Sequence, residues 1–299
     1  MRRFRSASRP ALARGFCPLA LLALSCTKFA SELDQLDSEG AALQPARLDP
    51  NGGDWSCVPG AGAPVAATAV GSAATVVSAA SAPAAALATR APLTHSFSLI
   101  DFVTAAPIKD VRVKACFRAD VDCGSPASEQ VPDRDGIVHV TAYVGFNGYL
   151  EIISTGMLPE LLFFGAPWSA EYLVQLERTP VRLLPAPALQ ALGETARLPL
   201  DPDSGVIGLY AYDCAGLAAP GVRLEIDTGA VPYAFVDDLP VANQDVTSTQ
   251  GLAGFVNVAP GVVVVRAFPR GETEALTVES LLVRSGWLST VSLLPAFSR

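Results

Sequence analysis

The sequence is poor in the side chains from which most catalytic and metal sites are built. Among its 299 residues there are only two histidines, His95 and His139. It contains no G-x-S-x-G, H-E-x-x-H or H-x-x-E pattern and no phosphate-binding glycine loop. No two cysteines have the C-x2-C spacing of a zinc site. We therefore expect a protein that is not an enzyme and has no cofactor; the alternative is an active site assembled from scattered Asp and Glu.

The N-terminal apolar run is too short to cross a bilayer. The first residues are basic, and the apolar run from residue 15 ends at Cys26. This pattern predicts a secretory signal peptide over residues 1–26, and the final cysteine predicts lipidation of Cys26 after cleavage. The alternative is ordinary cleavage that leaves a soluble protein. We expect export, as an outer-membrane or cell-surface lipoprotein or else as a periplasmic or secreted protein.

Basic residues are also scarce. The chain has 21 Lys and Arg against 29 Asp and Glu, which gives a net charge of −8. Loss of residues 1–25 removes five arginines and no acidic residue, so the mature chain has a net charge of −13. Because binding to nucleic acid needs clustered cations that neutralise phosphates, nucleic acid is not expected as a partner.

Residues 27–93 lack the pattern of a folded domain. Their first part is acidic and polar, and residues 60–89 consist mainly of Ala, Val, Ser, Thr and Pro without any charge. Pro64 and Pro83 interrupt this stretch. The composition therefore predicts a disordered tether rather than a membrane-spanning helix.

From residue 94 onward the pattern is that of short strands. Apolar and polar residues alternate with a period of two over residues 111–116 and 137–144, which predicts half-buried strands. Further strands are predicted at 149–152, 171–177, 204–214, 221–227 and 261–268, two more at 275–294, and a short helix at 186–196. The predicted fold class is all-β, with two tandem antiparallel β-sandwich domains at residues 94–185 and 198–299 after the tether.

One segment resembles a known family. Residues 99–152 contain the strand VRVKA, the D-x-D-G turn at Asp133 to Gly136 and the segment GFNGY. With these motifs, residues 94–153 resemble the carboxypeptidase regulatory-like domain, a transthyretin-like β-sandwich of secreted or lipid-anchored bacterial proteins. The resemblance implies a domain that carries no peptidase chemistry and lies beside other modules.

The second predicted domain repeats part of the first. The segment LIDFVTAAPIKDVRVKA begins at Leu99, and the segment AYDCAGLAAPGVRLEI begins at Ala211. Both contain an Asp, a polar turn, Ala-Ala-Pro and a strand that starts with Val-Arg. This correspondence predicts an internal duplication, with the second sandwich as the diverged copy.

Beyond Cys26, the chain contains four cysteines: Cys57, Cys116, Cys123 and Cys214. An even number of cysteines in an exported protein predicts disulfide bonds. The six-residue gap between Cys116 and Cys123 suits a clamp on a loop, and elimination then pairs Cys57 with Cys214. The other two pairings stay open at this point.

Two sets of residues are candidates for ligand binding. Four carboxylates flank one loop and could supply the oxygen ligands of a calcium ion: Asp120, Asp122, Asp133 and Asp135. The alternative is a solvated acidic loop with Asx turns. Three aromatic rings could stack on a glycan if they are exposed, and otherwise belong to the core: Tyr149, Trp168 and Tyr172.

The predicted function is that of a non-catalytic cell-envelope lipoprotein that displays β-sandwich domains for interaction or adhesion. Its partner would be an envelope protein or a glycan, and its only contact with the membrane would be the lipid anchor. The alternatives are a carbohydrate-binding module and an accessory domain protein of an extracellular peptidase system.

Overall fold

The computed structural model describes residues 53–57, 90–176, 180–236 and 239–295. Within these residues the chain forms fifteen strands and two short helices, so the all-β class is confirmed. The first half contains β1 (Pro92–Asp101), β2 (Val111–Phe117), β3 (Ser128–Gln130), β4 (Ile137–Tyr143), β5 (Gly148–Ser154), β6 (Glu160–Phe163), α1 (Ala170–Leu176) and β7 (Val181–Leu183). The chain continues with α2 (Ala186–Ala196), β8 (Gly205–Ala211), β9 (Arg223–Ile226), β10 (Val231–Val236), β11 (Leu239–Ala242), β12 (Leu252–Val258), β13 (Gly261–Phe268), β14 (Thr277–Val283) and β15 (Leu288–Leu293).

The turn before β4 is set by one side chain. Asp133 Oδ1 accepts hydrogen bonds from the backbone N–H groups of Asp135 and Ile137, both at 2.9 Å. Gly136 has a φ of 83°, which glycine adopts without strain. Because the turn fixes where β4 begins, the apolar even positions point inward, as with the fully buried Val138.

Helix α1 replaces the strand predicted for residues 171–177, and that prediction is wrong. Ser169 begins the helix: its Oγ accepts the N–H of Tyr172 and its carbonyl accepts the N–H of Leu173, both at 3.1 Å. Tyr172 and Leu173 are adjacent and both buried. Successive residues of a strand point to opposite faces, whereas a helix can bury two neighbours on one face.

One sheet joins the two halves of the chain. Its nine strands lie in the order β11-β10-β12-β8-β15-β6-β5-β2-β3. The C-terminal strand β15 lies between β8 of the second half and β6 of the first, and it is parallel to both. Two three-stranded sheets, β4-β1-β7 and β14-β13-β9, complete the layers. The two sandwiches are therefore continuous through β15, a connection that the sequence pattern does not contain.

The two cores meet at strands β5 and β6. In the first core, Val140 of the small sheet packs in one cluster with Leu150 of β5. The preceding residue, Tyr149, belongs with Phe163 of β6 to the second core, which also contains Leu281 of β14. Because alternate residues of β5 face different cores, this strand is buried on both faces.

The two segments that suggest a duplication have the same kind of turn. Asp101 Oδ1 accepts hydrogen bonds from the backbone N–H groups two and three residues later in the chain. Asp213 Oδ1 likewise accepts hydrogen bonds from the N–H groups two and four residues later. A single antiparallel bridge then closes each turn, Ile100 to Pro107 in the first half and Tyr212 to Ala218 in the second. The strands that precede the two turns lie in different kinds of sheet: β1 belongs to a three-stranded sheet, and β8 belongs to the nine-stranded sheet. The domain boundaries at 185 and 198 stay a prediction.

Candidate functional site

Both predicted disulfide bonds are confirmed. Cys116 and Cys123 are bonded with Cα atoms 5.3 Å apart, and Cys57 and Cys214 with Cα atoms 5.7 Å apart. Both distances lie in the ordinary range for disulfides. The first bond closes the loop after β2, and the second connects residues 157 positions apart.

The second bond fixes a short N-terminal segment to the second half. The carbonyl of Asp54 accepts the N–H of Cys214 at 2.7 Å, and Asp213 Oδ2 accepts the N–H of Asp54 at 2.9 Å. Trp55 packs against the second core. Residues 53–57 therefore depart from the disordered tether predicted for 27–93, and so do residues 92–93, which belong to β1. Cys26 and the predicted signal peptide lie outside the described residues.

The four carboxylates that are candidates for calcium do not form a cluster in the described structure, and their hydrogen bonds fit the alternative of an acidic loop with Asx turns. Within the described ranges, no group of three or more His, Cys, Asp or Glu residues could hold a metal ion. Asp120 uses its two carboxylate oxygens on the N–H groups of Gly124 and Ser125, at 3.1 Å and 2.8 Å. Asp133 is engaged in the turn before β4, and neither Asp122 nor Asp135 completes a site with them. These backbone hydrogen bonds lower the pKa of both Asp120 and Asp133.

The three aromatic rings that are candidates for glycan stacking lie in the cores, which is the alternative that the sequence left open. Tyr149 is fully buried, Trp168 is 1% exposed and Tyr172 is 7% exposed. The Tyr149 hydroxyl donates to the carbonyl of Asp120 at 2.6 Å, and the Tyr172 hydroxyl accepts the N–H of Gly165 at 3.1 Å. Burial raises the pKa of Tyr149 to about 12. The rings fill cores, where no sugar can reach their faces.

The two histidines are placed apart. His95 of β1 points into the first core and is 2% exposed, and burial lowers its pKa to about 4. His139 of β4 is exposed; its Nδ1 lies 2.9 Å from the hydroxyl of Ser96, and its Nε2 lies 3.4 Å from a carboxylate oxygen of Asp133. The two imidazoles occupy opposite faces of the β1–β4 pair and form no common site.

Ion pairs bridge the two halves along the charged face of β2. Glu151 of β5 is 5% exposed and accepts hydrogen bonds from Lys114 Nζ at 3.2 Å and Arg284 Nη1 at 2.6 Å. Arg118 Nη1 donates to Glu279 at 3.1 Å. Burial raises the pKa of Glu279, and the Arg118 charge opposes the increase. Since desolvation offsets much of the attraction in such pairs, they mainly fix how the halves fit together.

A separate buried carboxylate lies where β6, β15 and β8 meet. Glu160 is 3% exposed, and its Oε1 accepts the hydroxyl of Thr290 at 2.5 Å. Its Oε2 has no hydrogen-bond partner in the described part of the chain. Burial raises the pKa of Glu160 to about 7, and the Thr290 hydrogen bond works against this increase. Tyr210 of β8 lies near enough to interact electrostatically with Glu160 and with Arg182 of β7.

We expect Glu160→Gln to stabilise the protein above pH 7. The folded-state pKa of about 7 exceeds the ordinary value of 4.5, so the wild-type free energy of unfolding falls as the pH rises from 4.5 to 7. Glutamine keeps an acceptor for Thr290 and has no proton to lose. The expected gain at pH 8 is at most about 3 kcal/mol, measured by urea unfolding. The difference should be close to zero at pH 4; equal effects at both pH values would contradict the burial argument. Glu225→Gln, at an exposed position, is the control.

Comparisons with known proteins identify no relative that assigns a function. No family model matches the chain, and no curated protein matches it. Among solved structures, a Streptococcal ancillary pilin matches at 12% identity and a TM-score of 0.23, over 68% of this chain and 69% of that one. The Bacillus anthracis TIE protein matches at 12% identity and a TM-score of 0.24, over 68% of this chain and 34% of that one. The shaft pilin SpaA from Lactobacillus rhamnosus GG matches at 10% identity and a TM-score of 0.22, over 70% of this chain and 98% of that one.

These similarities are too low to transfer a fold or a function, and the chain spans about a third of the TIE protein. In the described ranges, no helix is both long and apolar enough to cross a membrane. The strands, the packed sheets and the two disulfide bonds establish a disulfide-bonded, all-β protein.

Proposed function

We propose that this chain is an exported, non-catalytic protein of the cell envelope, whose sheets form an interaction or adhesion module held at the membrane by a lipid on Cys26. The observation that carries the proposal is the pair of disulfide bonds. Disulfides form and persist in oxidising compartments and are rare in the cytosol. The basic and apolar leader that ends at Cys26 supports the same location.

We also assign the first half to the carboxypeptidase regulatory-like type. Three features support this assignment: VRVKA lies on β2, the D-x-D-G turn leads into β4, and GFNGY leads into β5. Together with β1, these strands form two facing layers around one core. A domain of this type would bind a partner without catalysing a reaction, and that partner would be an envelope protein or a glycan.

The N-terminal connection limits how far the body stands from the bilayer. Cys26 precedes Asp54 by 28 positions, and Asp54 is bound to the second half. A fully extended chain of that length spans at most about 100 Å. The point at which the chain joins the second half would therefore lie within about that distance of the lipid anchor.

Lipid labelling tests the proposal. The full-length protein and Cys26→Ala are expressed in bacteria that are fed an alkyne-bearing fatty acid, and envelope and cytoplasmic fractions are compared. We expect the wild type to be labelled and to sediment with membranes, and Cys26→Ala to be exported without label. Cys17→Ala, which changes a cysteine inside the leader, is the matched control and should keep the label. An unlabelled wild type, or one found in the cytoplasm, would overturn the proposal.

A further inference from the structure

A cleft opens beside the start of β9 in the second half. Its volume is about 410 Å³, and six residues line it: Gly221, Arg223, Val246, Pro269, Arg270 and Gly271. This volume lies within the usual range of small-molecule sites. Two of the lining residues are arginines, although the chain as a whole has a net charge of −8. The cleft thus brings two guanidinium groups together, of which that of Arg223 also contacts Glu225.

Arg223 is held in position by its neighbours. Its guanidinium carbon lies 4.1 Å from the centroid of the Phe268 ring, a favourable stack for a planar cation. Phe268 is buried and is the register partner of Arg223 on β13, so the ring is a fixed platform. Because the position of Arg223 is set in advance, a ligand would lose little entropy in ordering it.

Arg223 already forms one ion pair, but its guanidinium can donate further hydrogen bonds to a ligand. Its Nη1 contacts Glu225, two positions along β9, whose side chain is 48% exposed. Exposed pairs of this kind contribute little to stability, so the contact can yield. A guanidinium carries five N–H donors in a planar fork, which matches the two oxygens of a carboxylate.

The remaining residues give the cleft its shape. Gly221 and Gly271 have φ values of 76° and 82°, which glycine adopts without strain. Because glycine has no side chain, the backbone alone lines the cleft at these two positions. Val246, which is 38% exposed, and Pro269 add apolar surface. Arg270 follows β13 directly and brings the second positive charge to the cleft. A complementary ligand therefore has one anionic group and a small apolar face.

We propose that this cleft binds the carboxylate of a small organic acid of monosaccharide size, such as a uronic acid. Arg223 provides the fixed bidentate contact, and Arg270 provides the second charge. The site depends on the fold of the second half and not on the lipid anchor. Failure of this proposal would leave the proposed envelope function standing, and the two can be tested separately.

Titration with D-glucuronate tests the site. The chain from residue 26 onward, with both disulfides formed, is titrated in 150 mM salt and followed by calorimetry and NMR. We expect saturable binding with a dissociation constant of about 1 mM and no binding of the neutral sugar D-glucose. The variant Arg223→Gln/Arg270→Gln should bind glucuronate at least 10-fold more weakly.

A matched variant controls for the loss of charge alone. Arg112→Gln/Arg134→Gln removes two exposed arginines of the first half, each of which lies beside a carboxylate, and it should leave the affinity unchanged. Equal affinities in both double variants, equal binding of glucose, or no saturable binding of glucuronate would overturn the proposal. If the cleft variant does not fold, Arg270→Gln alone replaces it, since this residue is exposed. An unchanged dissociation constant in Arg270→Gln would also count against the site.

Discussion

Replacement of Cys57 and Cys214 by alanine is expected to lower the free energy of unfolding by about 5 kcal/mol. The bond joins residues 157 positions apart, and closing so long a loop removes much entropy from the unfolded chain. It also fixes residues 53–57, whose Trp55 packs against the second core. The loss is measured by urea unfolding of the oxidised protein.

Reduction separates the effect of the cross-link from that of the side chains. In the presence of a thiol reductant, the wild type also lacks the Cys57–Cys214 bond, so the difference between wild type and variant should nearly vanish. A difference of several kcal/mol that persists after reduction would show that packing of the sulfur atoms, rather than the cross-link, stabilises the fold. The shorter Cys116–Cys123 loop, with a separation of 7, should contribute only about half as much.

Trp168→Ala is expected to destabilise the protein by 3 to 5 kcal/mol, which is the usual loss for a large aromatic side chain in a core. Trp168 lies in the first core and is 1% exposed. Its ring centroid is 5.1 Å from that of Phe146, 5.2 Å from that of Phe164 and 5.9 Å from that of His95. The substitution therefore leaves a cavity among three rings. Thermal and urea unfolding measure the loss.

Val174→Ala, on the helix that follows Trp168, provides the comparison. Val174 is 54% exposed, so its truncation should change the free energy of unfolding by less than about 0.5 kcal/mol. The two variants should bind glycans alike, since neither position offers a ring to a sugar. A large stability change at Val174, or a negligible one at Trp168, would contradict the assignment of Trp168 to the core.

The sequence was sufficient to predict elements whose signals are local. Alternation identified β2 and β4, the Asp133 turn marked the start of β4, and the short helix predicted for residues 186–196 corresponds to α2. The short Cys116–Cys123 gap led to both disulfide pairings. In each of these cases, residues within a few positions of one another decide the structure, so the pattern along the chain contains the information.

The contacts that join the halves could not be predicted in this way. Alternation on β2 separates Val113 from Lys114, but it does not reveal that the charged face lies against the second half, where Glu151 meets Arg284. Nor does an apolar run at the C-terminus indicate that β15 lies between two strands of different halves. The same limit applies to the aromatic residues: Tyr149 lies in a glycine-rich context typical of a surface turn, yet packing from a distant segment buries it.

The bond at Cys57 also changes the role of the Ala-rich region. Residues 58–91 run from a cysteine that is bonded to the second half to the first strand of the first half, so both of their ends are attached to the same body. They close a covalent ring instead of lengthening the connection to the membrane. A protease that cuts this ring once would leave two fragments joined through sulfur. The nick would become visible on a denaturing gel only after reduction.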